Sequence, residues 1–258
     1  MATTKNAVYQ VDNGTDFDTI YFETKASLVK TNSSSDVETQ LADILSQMAV
    51  RPIITTSART YYVNASTGND NNDGLTAGTA FKTIGKAVGV LPQIINHAIM
   101  ISVAAGDYVE DVYLNGKVGN GNISIIGAGK TITKVRYIEG NQCTIQLYIK
   151  SLATTTNVDT MRFFRCNYVI IEDATNIASL ASSAFVIFIA SHGILKNSSI
   201  NYAYVVAQAI DMSNVLVANN TGSGNTYNIM ANASTVYKSG TQPSATTAEF
   251  LSNGGEVR

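Results

Sequence analysis

The chain has 258 residues, 45% of them hydrophobic and only 14% charged, with a formal net charge of −2 and a pI of about 5.7. A sizeable core is affordable, but the surface has to be covered by Asn, Ser, Thr, Gly and Tyr, which suits a long sheet better than a helical bundle. The absence of a basic stripe argues against nucleic acid as a partner. Met1–Gln10 carries no cationic and apolar signal peptide, and the most apolar run, Ala184–Ala190, is too short for membrane insertion.

Residues 1–34 alternate short β-like runs, Ala7-Val8-Tyr9 and Thr19-Ile20-Tyr21-Phe22, with polar turns at Asp12-Asn13-Gly14 and Asn32-Ser33-Ser34. So short a segment cannot hold a core of its own and needs something to pack on. An amphipathic helix is expected over 35–52. Ser35-Asp36-Val37-Glu38 forms a capping box, Val37, Leu41, Ile44, Leu45 and Met48 share a face, and Pro52 ends the helix. That stripe can be buried by self-association about a three-fold axis or by docking on the β-domain, and the period does not choose. A linker over 53–60 follows.

From Tyr61 to about residue 240 the texture is that of a solenoid. Tyr61-Tyr62-Val63 reads as a strand, and a short capping helix is expected near 82–91. Within Cys143–Lys150, Cys143, Ile145, Leu147 and Ile149 alternate with Thr144, Gln146, Tyr148 and Lys150, so the first set faces a core. The anchors Ile145, Ile170, Leu195, Val217 and Val236 recur every 19–25 residues. With two short strands per unit, that period predicts an all-β fold, a right-handed parallel β-helix of about six or seven coils. Ser151, Glu172, Asn197 and Asn219 follow the anchors as a polar turn column, read as scaffold. Residues 241–258 are either a cap or a loose tail.

Cys143 and Cys166 read as two small, buried, reduced hydrophobes. Neighbouring coils would bring a disulfide within reach, but these anchors put the two cysteines two residues out of alignment. Asn69, Asn71 and Asp73, followed by Gly74, imitate the start of a Ca²⁺ loop. Its twelfth position is Ala80 rather than an acid, so a polar turn without a cofactor is the simpler reading, with a weak Ca²⁺ site completed by backbone carbonyls as the alternative. His97 and His192 have no ligand-spaced neighbours.

Glycan cleavage needs two carboxylates flanking a groove. Glu172-Asp173 is an adjacent acidic pair in the coils, with Arg162 and Arg165 in the same coil and Asp159 just before them. No acid pair recurs at the coil spacing, which favours binding over cleavage. Among the 13 tyrosines, Tyr148 faces outward by alternation and Tyr202 and Tyr204 flank a turn; these are the candidate glycan-stacking residues, or else subunit contacts.

Tyr61-Tyr62-Val63, Gly68-Asn69-Asp70, Asp73-Gly74 and Phe81-Lys82-Thr83-Ile84 resemble the entry segment of pectate-lyase-like (pectin-lyase-like) β-helix proteins. Ile101–Glu110 and Ile123–Gly129 resemble their first coils. The fold hosts lyases, hydrolases, adhesins and phage tail proteins, so it does not fix the chemistry. Lys5–Gly14 and Phe17–Phe22 resemble the start of tail-fibre and tail-appendage proteins of phages and prophages of Gram-positive bacteria. That resemblance implies a virion-attachment segment at residues 1–34 bound to other tail or baseplate proteins, and a homotrimer that recognises a host cell-wall polysaccharide. It also implies location in the virion tail after assembly in the host cytoplasm and release by lysis. A tail-spike depolymerase and a purely structural tail component are the alternatives.

Overall fold

The computed structural model describes residues 7–12, 17–22, Thr39 and 54–258 of the chain. Contacts divide it into two units, residues 1–52 and 53–258. In the first, β1 (Ala7–Asp12) pairs antiparallel with β2 (Phe17–Phe22), and Thr39 is helical. The rest of the helix expected over 35–52 lies outside the described residues.

The second unit is a parallel β-helix of about seven turns. One sheet stacks β3 (Arg59–Val63), β4 (Ala98–Val103), β6 (Asn122–Gly127), β8 (Gln146–Lys150), β11 (Tyr168–Glu172), β14 (His192–Lys196), β16 (Asn214–Ala218), β18 (Thr235–Ser239) and β20 (Glu256–Val257). The other holds β5 (Gly106–Asn115), β7 (Thr133–Asn141), β10 (Met161–Phe164), β13 (Leu180–Ile189), β15 (Ala203–Ile210), β17 (Asn225–Asn232) and β19 (Ala245–Ser252), with the two-residue strands β9 (Ala153–Thr154) and β12 (Thr175–Asn176) at its side. Every pairing within these two sheets is parallel, so each coil lays its apolar positions on those of the last. One continuous core results, in which Cys143, Ile145, Leu147 and Ile149 are all buried.

The helix opposite the first coils, α1 (Ile84–Gly89), is capped by Thr83, whose hydroxyl accepts from the Lys86 N–H at 3.1 Å. Its first turn is held from the next coil: the Glu110 carboxylate accepts from the Ile84 and Gly85 N–H groups, each at 2.8 Å. At its other end the buried Lys117 ammonium donates to the Leu91 and Pro92 carbonyls at 3.0 and 3.2 Å. The acid complements the orphan N–H groups and the dipole at the helix N-terminus, while Lys117 ties down the chain just past its C-cap Val90. Residues 245–252 and 256–257 are strands in both sheets, so the C-terminal stretch is a last coil.

The coil register corrects the anchors. Leu147, Val169, Gly193, Val215, Val236 and Val257 form one inward column, and Ile149, Ile171, Leu195 and Val217 form the next. Ile170 faces outward; Ile171 is the core residue. The polar turn column shifts in the same way. Ser151, Asp173, Asn197, Asn219 and Gly240, all at positive φ between 51° and 60°, turn the chain out of the first sheet, with Asp173 where Glu172 was expected. Gln142, Arg165, Ala190, Asp211, Ala233 and Asn253 do the same at the exit of the second sheet.

Inside the corners polar side chains satisfy the backbone. Asn220 accepts from the Ser198 N–H at 2.9 Å and donates to the Leu195 carbonyl at 3.0 Å, while Asn225 bridges the Ala203 N–H and the Ile200 and Ser244 carbonyls. Buried amides that bond coils on both sides leave few orphan groups in a chain with many corners.

A cleft on the outer face of the second sheet

The acids proposed from sequence divide between the two sheets. Glu172 lies on the outer face of the first sheet, in register between Lys150 and Lys196. Their ammonium groups are 3.6 and 3.3 Å from its carboxylate, which also accepts from the Tyr148 hydroxyl. These contacts, the Tyr148 hydrogen bond first, hold the Glu172 carboxyl below its usual range against the opposing effect of burial. Burial raises Asp173, but hydrogen bonds from Lys130 at 2.9 Å and Ser151 at 2.8 Å bring it below the ordinary carboxylate range. Both acids are therefore committed to a ladder that ties coils together.

The lowered Glu172 pKa makes stability depend on acid. Its contribution is present above the unfolded value near 4.5 and is lost as pH falls through the lower folded value. Glu172→Gln is expected to cost about 0.5–1 kcal/mol at pH 7 and to flatten the loss of stability between about pH 5 and pH 3, measured by urea unfolding. Equal pH slopes for the two proteins would refute the ladder.

Asp159 belongs to a different place. It accepts from the Ala184 N–H at 3.0 Å and lines a cleft of about 600 Å³ with Asp111, Tyr113, Arg136, Tyr137, Thr156, Val158 and Arg162. Three coils build it. On β5 a bulge between Tyr108 and Asp111 inserts one residue against β7; past the bulge, Asp111 sits opposite Tyr137 and Tyr113 opposite Glu139. Glu139 is in turn in register with Arg162 of β10.

Within the cleft Arg136 grips Asp111 through two bonds, Nε to Oδ1 at 2.7 Å and a terminal nitrogen to Oδ2 at 2.8 Å. The Tyr137 hydroxyl donates to Glu139 at 2.7 Å, and its ring meets that of Tyr113 edge-on with centroids 6.2 Å apart. Burial and then this hydrogen bond push the Tyr137 phenol far up, so it stays a neutral donor. Tyr113 is 49% exposed. Arg162 is exposed, and among the described residues its guanidinium has no hydrogen bond or ion pair. The cleft thus offers two aromatic rings and one uncommitted guanidinium, while Asp111 and Glu139 already have partners.

The tyrosines named from sequence do not form one site. Tyr148 is half-buried on the first sheet, engaged by Glu172 and beneath Lys150. Tyr202 is a corner residue at φ 52°, 62% exposed. Tyr204 belongs to the second sheet, where Tyr204, Tyr227 and Phe250 stack edge-on at 5.3 and 5.6 Å beside an apolar cluster of Ala184, Ile187 and Val205. Sequence reading passed over Tyr113, Tyr137 and Arg136, and set Arg162 beside Glu172-Asp173 instead, because their proximity depends on the register and the bulge.

In the Asn69–Asp73 turn the oxygens work within the loop. Asn69 accepts from the Asn71 N–H at 3.0 Å, and Asp73 from the Leu75 N–H at 3.0 Å and the Thr79 hydroxyl at 2.7 Å. The Leu75 N–H, followed by the Thr79 hydroxyl, lowers the Asp73 pKa. Asp70 fastens the turn to α1 by accepting from the Lys82 and Thr83 N–H groups at 2.8 and 3.0 Å. Among the described residues no three His, Cys, Asp or Glu side chains are grouped so as to hold a metal ion. No known protein-family model matches the chain, and no curated protein or solved structure does either.

Proposed function

We propose that the chain is a saccharide-binding parallel β-helix without hydrolytic activity of its own. More particularly, we read it as the receptor-binding part of a phage tail fibre or appendage, a homotrimer that recognises a host cell-surface polysaccharide. Residues 1–34 would attach it to the virion. The observation that carries the binding reading is the cleft on the second sheet. Aromatic rings stack on the C–H faces of sugars, and a free guanidinium can bond their hydroxyl or carboxylate oxygens. The tail assignment rests on the resemblance of Lys5–Gly14 and Phe17–Phe22.

Retention on purified wall polysaccharide of Gram-positive hosts, with no oligosaccharide released, is the expected result. Released product would replace the binding reading by a depolymerase using Asp159 or Glu139, and no retention on any wall polysaccharide would leave a structural tail component. Arg162→Ala is expected to weaken binding about tenfold and Tyr113→Ala about three- to tenfold, as titrated by calorimetry, with Tyr202→Ala unchanged. Equal affinities for all three variants would place the ligand elsewhere. A monomer mass by light scattering at micromolar concentration would overturn the trimer.

A further inference from the structure

Five successive corners from the second sheet into the first turn on a residue at positive φ and then direct a small side chain inward, where the corner before them carries Lys117. These small residues stack from coil to coil as Cys143, Cys166, Ser191, Ser213 and Ser234, all buried. The stack is held by its own hydrogen bonds. The Cys166 N–H donates to Ser191 Oγ at 3.0 Å, Ser191 N–H to Ser213 Oγ at 3.1 Å, and Ser213 N–H to Ser234 Oγ at 3.1 Å. Serine fills the place three times, so the scaffold does not need sulfur there.

The two cysteines are aligned, contrary to the offset that the sequence anchors gave. Gln142 N–H donates to the Phe164 carbonyl and Asn167 N–H to the Cys143 carbonyl, both at 2.8 Å, and these bonds bracket the pair with no shift. Neighbouring parallel strands lie about 4.8 Å apart, inside the Cα separation of about 4.4–6.8 Å that a disulfide spans. Both thiols are free; the Cys143 thiol donates to the Leu114 carbonyl at 2.9 Å and the Cys166 thiol to the Phe164 carbonyl at 3.7 Å. The adjacent Cys166 thiol first, and the Lys117 ammonium nearby after it, make Cys143 the more acidic partner. In the same exchange Cys166 is pushed up.

We propose that Cys143 and Cys166 are an oxidation site, closing to a disulfide that staples two adjacent coils when the protein meets hydrogen peroxide. The Cys143 thiolate attacks one peroxide oxygen, giving a sulfenic acid and releasing water once the leaving hydroxide takes up a proton. Cys166 sulfur then attacks the sulfenic sulfur, forming the S–S bond and expelling a second water that carries off the Cys166 proton. Two electrons pass from the thiols to peroxide, which ends as two waters. Peroxide is small enough to reach the corner through local opening of the coils.

The test is made on the full chain, reduced and then exposed to excess peroxide. Expected are loss of both thiols on titration after denaturation, an intact mass lower by about 2 Da in a monomeric band, and a thermal midpoint raised by roughly 5–10 °C. Dithiothreitol should reverse all three. Cys143→Ser and Cys166→Ser should fold, by circular dichroism, and show neither the mass loss nor the rise. Two thiols surviving in the wild type would overturn the proposal. So would a mass gain of about 32 Da without a cross-link, or a cross-link found only between chains.

Discussion

Phe188→Ala is expected to lower the unfolding free energy of the β-helix by about 3–5 kcal/mol, the range for a fully buried phenylalanine. The ring has no exposure and stacks on Phe163 one coil back, with centroids 5.9 Å apart and planes at 25°. It also fills the space above Gly193: a Cβ there would lie 2.1 Å from the Phe188 ring, although the adjoining coils carry Val169 and Val215 at that column. Two neighbours that could collapse into the hole are small, Gly193 and Ala209. The cavity therefore stays largely open, and the cost falls toward the upper end of the range. Urea unfolding measures it, with Phe188→Leu losing less than about 1.5 kcal/mol as the control for volume. A loss below about 1 kcal/mol for the alanine variant would mean that the coils close the gap.

Gly222→Ala should be comparably severe, at about 3 kcal/mol or more. Gly222 has φ +132°, and a Cβ would stand 1.7 Å from the Ile200 carbonyl oxygen. That oxygen belongs to backbone that cannot retreat cheaply. Ile200 N–H is bonded to the Thr221 carbonyl at 2.9 Å, and the Gly222 carbonyl accepts from Ser244 N–H at 3.0 Å, so both neighbouring coils are fastened to this corner. Gly78→Ala is the matched control, since its Cβ would meet only the Thr76 hydroxyl at 3.8 Å, and it should shift the thermal midpoint by less than about 1–2 °C. Equal effects from the two substitutions would contradict the geometry at residue 222.

Much of the fold is written in the alternation of Cys143–Lys150 and in the recurrence of short apolar strands, because a parallel solenoid repeats the same inward positions in each coil. The register is harder to read. The step from Ile145 to Ile170 spans 25 residues, whereas the paired strands align Gln146 with Tyr168; the extra residues slid the apparent columns and offset the cysteines. Corner angles are also hidden, since Arg165, Ala190 and Ala233 take positive φ without the Gly or Asn that would announce it. The cleft was least legible. Asp111, Tyr137 and Arg162 come from three coils and face one another only because of one bulge and the register. Glu172 was read as a turn acid, but it ends β11, and the lysines on the coils either side that hold it were invisible without pairing.

One outward column of the second sheet runs Tyr113, Glu139, Arg162, Ile187, Gln208, Met230, Phe250, each one coil beyond the last. At about 4.8 Å per coil this row is close to 30 Å long. Its near end is charged and aromatic, and its far end is largely apolar. A linear polymer lying along the axis therefore meets different chemistry at its head and its tail. Under the saccharide-binding proposal, its two orientations would differ in energy, so the surface would select a direction as well as a sequence of sugars.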